Sequence, residues 1–100
     1  MMSVENVSSI ISSKDQVAVY AYTPMCGTCQ VAGKMVDVIE QILKGWTIVK
    51  IDLNYYEPIA VKYEVESVPC LLIFKDGVLQ DRIYAFQSVP HLYEKLRAFS

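Results

Sequence analysis

Val17-Ala18-Val19-Tyr20-Ala21-Tyr22-Thr23-Pro24-Met25-Cys26-Gly27-Thr28-Cys29-Gln30-Val31 decides how this chain folds. Val17 to Tyr22 is continuously apolar, the pattern of a central strand covered on both faces. Thr23-Pro24 stops the strand, because proline has no N–H for a ladder and restricts the residue before it. Two cysteines follow where a helix should begin. Cys26 and Cys29 are three apart, so a helical start turns both the same way, one turn from each other. The first would sit where unpaired backbone N–H groups point outward and the helix dipole is positive. Such a place favours thiolate over thiol, and thiolate is the species that attacks disulfides. A C-x-x-C beside a β-α-β pattern is read first as a redox dithiol.

Working outward, Gly27 to Lys44 carries Val31, Met35, Val38, Ile39 and Ile42 on one stripe and Lys34, Asp37, Gln41 and Lys44 on another. This is an amphipathic helix that Gly45 ends. Gly33 weakens it by about 1 kcal/mol relative to alanine. Trp46 to Asp52 is β-branched and apolar enough for a second strand, and a right-handed crossover makes it a parallel neighbour of the first. Asn54 to Glu64 should hold a short helix with Pro58 in its first turn and Ile59, Ala60 and Tyr63 facing inward. Pro69 to Lys75 reads as a third strand, Asp76-Gly77 as a hairpin turn and Val78 to Tyr84 as an antiparallel fourth strand. Ser88 caps a last helix with Leu92, Leu96 and Phe99 inward, and Ser3 caps a first helix with Val4, Val7, Ile10 and Ile11 on one face.

Cys26-Gly27-Thr28-Cys29, then Lys62-Tyr63 with Val65, then Val68-Pro69 before Leu71-Leu72-Ile73-Phe74-Lys75-Asp76-Gly77, resembles the thioredoxin family over most of the chain. The resemblance implies an α/β, thioredoxin-like fold over residues 1–100 as a single domain. Its sheet is expected to be four-stranded and mixed, with helices on both faces and the family's N-terminal strand missing or vestigial. It also implies a protein-disulfide reductase. Cys26 attacks a substrate disulfide, and the more buried Cys29 resolves the mixed disulfide. Pro69 should be cis and set the Val68 backbone opposite Cys26, where an extended peptide can add as a strand. Met25, Gly27, Thr28, Val68 and Pro69 form the expected substrate surface. The position of the family's buried aspartate holds Tyr20, a phenol with an ordinary pKa of about 10 that cannot act as a base near neutrality. Lys50 matches the lysine that partners that aspartate and stands as an auxiliary residue without its partner. Resolution by Cys29 then rests on water or on Lys50. Cys70, directly after Pro69, reads as a buried small hydrophobe on a core strand. Its alternative is an auxiliary thiol able to trap the dithiol or to be glutathionylated.

Composition bounds the rest. The chain has 100 residues, a net charge of −2 and a hydrophobic fraction of 53%. It should bury one core and give nucleic acid or an anionic membrane no electrostatic purchase. It has no apolar run of spanning length and no basic leader, so a cytoplasmic protein is expected, and its three cysteines are not a structural disulfide framework. No cofactor and no metal are expected, His91 being solvated in the last helix. The Tyr55-Tyr56-Glu57 cluster is expected to be a helix-start surface and Glu64-Val65-Glu66 solvated charge. Expected partners are protein disulfide substrates and an electron-donating reductase or dithiol, with the chain a monomer.

Three alternatives stay open. A glutaredoxin-like, glutathione-dependent enzyme shares Tyr22-Thr23-Pro24, although Arg82 to Gln87, R-I-Y-A-F-Q, lacks the glycine-rich element of that family. A binding protein could keep the fold without the chemistry. A dimer could hold a metal or iron–sulfur group between two Cys26/Cys29 pairs.

Overall fold

The central strand is β1 (Gln16–Tyr22), whose middle residues are all buried. In the computed structural model, which describes residues 2–100, it follows α1 (Val4–Ser13) and precedes α2 (Gly27–Ile42) and β2 (Thr47–Asp52). A 3-10 turn (Leu53–Tyr55), α3 (Glu57–Lys62), β3 (Cys70–Lys75), β4 (Val78–Ile83) and α4 (Val89–Arg97) complete the order. β1 pairs in parallel with β2, setting Tyr20 opposite Lys50, and antiparallel with β3, setting Ala21 opposite Cys70. The sheet is four-stranded with order β2-β1-β3-β4. No strand precedes α1 among the described residues.

Strand alternation divides the core in two. Ala18, Tyr20, Leu71 and Ile73 point to the face covered by α2 and α4, where Ala32, Val36, Ile39, Leu92 and Leu96 meet them. Val17, Val19, Ala21, Cys70, Leu72 and Phe74 point to the opposite face with Val7 and Ile11 of α1 and Ile59 of α3. The caps are those the sequence announces. Ser3 and Asn6 form a capping box, and Ser88 Oγ accepts the His91 N–H at 3.2 Å. Asp76 and Gly77 turn the β3–β4 hairpin with φ of 51° and 81°, the conformation that asparagine, aspartate and glycine adopt most readily.

Two expectations need correcting. The buried face of α2 is Cys29, Ala32, Val36 and Ile39, with Leu43 as its C-cap. Val31, Val38 and Ile42 are exposed, and of the expected stripe only Ile39 is fully buried. The smaller stripe, Ala32 and Val36 with Ile39, is the one that packs on Ala18, Tyr20, Leu71 and Ile73 of the sheet. Tyr56 is no surface residue: it is buried, and its hydroxyl donates to the Met2 carbonyl. Among the described residues, no helix is long and apolar enough to cross a membrane.

Candidate active site

After β1 the chain turns through Pro24 and Met25, and the Cys26 N–H closes the turn on the Thr23 carbonyl at 3.2 Å. Cys26 is the N-cap of α2, in extended conformation at φ −91° and ψ 109°. Its sulfur takes the place of the usual capping oxygen: it accepts the Cys29 N–H at 3.1 Å and lies 3.3 Å from the Thr28 hydroxyl. Cys26 and Cys29 are joined as a disulfide with Cα atoms 5.2 Å apart. A disulfide sulfur carries no proton, so amide and hydroxyl are the donors. On reduction, the same two donors and the helix N-terminus stabilise negative charge on Cys26. Cys29 is only 4% exposed, whereas Met25 beside the dithiol is 94% exposed.

The Val68–Pro69 peptide bond is cis, and the Val68 carbonyl lies 4.0 Å from Cys26 Sγ. From there an apolar groove of about 380 Å³ runs between Pro69, Tyr84, Phe86 and Gln87 on one side and Thr28, Val31, Ala32 and Met35 of α2 on the other. Tyr84 and Phe86 were not among the expected site residues, since their segment follows the end of β4 and carries no motif.

The other flank of α2 carries charged side chains on a largely apolar lining. A cavity of about 480 Å³ reaches Cys29 between Tyr20, Gln30, Gly33, Lys34, Asp37 and Lys50. Lys50 has a partner after all: it pairs with Asp37 of α2, which the sequence placed only on a polar stripe. Tyr20 is 2% exposed and its hydroxyl donates to the Cys29 carbonyl. Burial, with a smaller contribution from Tyr22, pushes this phenol up to about 12, so it is a hydrogen-bond donor and no base. A Cβ at Gly33 would lie 3.6 Å from the Tyr20 ring and hydroxyl, an ordinary contact, so the tyrosine leaves room there for a methyl group.

Cys70 is fully buried in the cluster under α1 and α3, on the opposite side of the sheet from α2. The structure does not bring it to the dithiol. Burial pushes its thiol up to about 11, against smaller lowering effects of a Tyr84 hydrogen bond and the Arg82 charge. His91 is half-buried in the first turn of α4. Among the described residues, no three His, Cys, Asp or Glu side chains gather where they could hold a metal.

A dithiol at a helix N-terminus, facing a cis-proline loop on a mixed α/β sheet, defines a thiol–disulfide oxidoreductase. The family model described as Thioredoxin matches residues 1–98, and the chain belongs to the thioredoxin family. It is 45% identical over 83 residues to thioredoxin-like protein YusE of Bacillus subtilis, covering 83% of this chain and 78% of that one. It is 31% identical to a thioredoxin of Mycoplasmoides gallisepticum, covering 91% of each. Among solved structures, Plasmodium falciparum thioredoxin superposes with a TM-score of 0.89 at 20% identity, covering 100% of this chain and 97% of that one. Oxidised mitochondrial thioredoxin 3 of Saccharomyces cerevisiae gives 0.88 at 21%, covering 98% and 92%. At those identities the structural likeness establishes the fold.

Proposed function

We propose that this oxidoreductase works as a reductase of protein disulfides, as one domain and a cytoplasmic monomer. One observation carries the proposal. Cys26 sits half-buried at the helix tip, 4.0 Å from the Val68 carbonyl, while Cys29 lies 4% exposed behind it. Only the first sulfur can meet a disulfide in another protein. The Cys26 thiolate bonds to one substrate sulfur and expels the other as thiolate, which takes a proton from solvent. Cys29 gives its proton to solvent and bonds to Cys26, releasing the second substrate sulfur as thiolate, which takes a proton in turn. The substrate gains two electrons and two protons, and the protein ends with its Cys26–Cys29 bond. Thr28 and the Cys29 amide hold charge on Cys26, Lys50 with Asp37 sets charge beside Cys29, and Cys70 takes no part. Met25, Gly27, Val68 and Pro69 form the rim that a substrate touches, with the Val68 backbone open to strand addition. An electron donor, a flavoprotein reductase or another dithiol, returns the protein to its reduced form.

The test is redox titration. The protein is equilibrated in defined thiol–disulfide buffers, its free thiols are alkylated and the labels are counted by mass. Cys26 and Cys29 are expected to lose two labels together near the roughly −270 mV of thioredoxin. A midpoint tens of millivolts higher makes the protein an oxidant or isomerase. Cys26→Ser should lower disulfide reduction by at least about 10³-fold, as loss of a nucleophile does. No paired loss of labels would remove the catalytic proposal altogether.

A further inference from the structure

The exposed apolar residues of α2 are not scattered. Val31, Met35, Val38 and Ile42 follow one another at spacings of four, three and four, which keeps them on a single narrow seam. Val31 is 58% exposed, Val38 44% and Ile42 50%, while Met35 is half-buried. Met35 also packs against the core beneath α2, whereas Val31, Val38 and Ile42 lie off the helix's buried face. The seam begins inside the groove beside Pro69, where Val31 and Met35 form one wall, and continues past it toward the far end of the helix. The charged residues Lys34 and Asp37 line the cavity on the other flank.

We infer that this seam is a docking track for the segment flanking the reactive cysteine of a substrate protein, an apolar and uncharged stretch lying extended along α2. The inference rests on the reductase function proposed above and deepens it. Continuity with the Pro69 groove places the segment next to its own disulfide. The absence of charge along the seam selects against acidic or basic stretches, whose desolvation would go uncompensated. From Val31 to Ile42 the helix advances about 16 Å, which an extended chain at about 3.3 Å per residue covers in about five residues. A second copy of the chain is a poorer occupant. Four side chains cover on the order of a few hundred Å², short of the roughly 800 Å² per partner of a stable interface.

The test uses reduced protein and symmetrical peptide disulfides, two identical peptides joined through one cysteine each, in single-turnover reactions. Cys26 takes one sulfur, Cys29 then closes on Cys26, and two peptide thiols are released for each protein oxidised, so no further reductant is required. Apolar tails of increasing length are placed before or after the cysteine. The second-order rate constant should climb about tenfold, equivalent to about 1.4 kcal/mol, as one of these tails reaches about seven residues, the length that spans the roughly 24 Å from Cys26 to Ile42, and then level off. A charged tail of equal length should give no gain. The Val38→Glu/Ile42→Glu protein, checked by circular dichroism for its fold, should lose the gain and keep its rate on the tail-less disulfide. A rate that ignores tail length, an equal gain for charged tails or an undiminished gain in the double variant overturns the inference. So does a concentration-dependent dimer that this variant abolishes, since the seam then belongs to a second copy. The wild-type length series stands even if the variant fails to fold. Failure on the tail-less disulfide itself instead strikes the reductase function.

Discussion

The two flanks of α2 share a mainly apolar lining and differ in charge. On one, a cavity of about 480 Å³ reaches Cys29 among Tyr20, Lys34, Asp37 and Lys50. On the other, a groove of about 380 Å³ runs from Thr28 past Pro69 and Phe86 and is mostly apolar. In the function proposed above, the charged flank lets Cys29 exchange its proton and the apolar flank meets the substrate. The dithiol lies between them, with Cys26 at the helix tip and Cys29 turned inward.

The largest expected effect tests how the charged flank is built. Gly33→Val should cost about 1–3 kcal/mol in urea unfolding, because added methyl groups must displace the Tyr20 ring. Gly33→Ala should instead stabilise by about 0.5–1 kcal/mol: its Cβ meets that ring at an ordinary 3.6 Å, and alanine favours helix. If both substitutions stabilise, Gly33 is no complement to Tyr20 and the cavity floor is looser than described.

Cys70 separates what lies beside α2 from what lies beneath the sheet. Its thiol is raised in the fold from about 9 to about 11, so the native state holds its proton where the unfolded chain has lost it. The resulting stability is complete below about pH 9 and is lost as pH rises toward about 11. The decline should approach about 1.4 kcal/mol per pH unit. Cys70→Val should flatten this part of the urea midpoint against pH without changing the thiol titration of Cys26 and Cys29. An unchanged slope in the variant would assign the decline to other groups.

Tyr20→Phe removes the hydroxyl from the Cys29 carbonyl and should cost about 1 kcal/mol. The carbonyl keeps a helical partner, so the loss should stay at that size, and thermal unfolding would measure it. The smallest effect belongs to the Lys50–Asp37 pair, whose side chains are 36% and 54% exposed. Asp37→Asn should change stability by no more than about 0.5 kcal/mol, and less in high salt. A larger loss would make the pair a structural clasp of the charged flank.

Much of this was legible along the chain. Val17 to Tyr22, the Cys26/Cys29 spacing, Pro69, the Asp76-Gly77 turn and the caps at Ser3 and Ser88 each state their structure through a few neighbouring residues. The buried face of α2 was not. Two apolar stripes share that helix, and the 3.6-residue period accepts either. The sheet accepted the thinner one, and the bulkier stripe was left on the surface. Lys50 likewise looked partnerless, because Asp37 is brought beside it only by the β1–α2–β2 crossover. Gly33 reads locally as a weak point in a helix, and only the fold shows that a side chain there would meet the Tyr20 ring.

Local order, then, was determined by the sequence alone: which segments are strands and helices, where they stop, and that two cysteines share a helix start. The tertiary structure decided which stripe of α2 meets the sheet, which charge answers Lys50, and that Cys70 faces away from the dithiol. The physical reason is that backbone propensity and capping act over a few residues. Side-chain volume and charge acquire partners only when distant segments are pressed into contact.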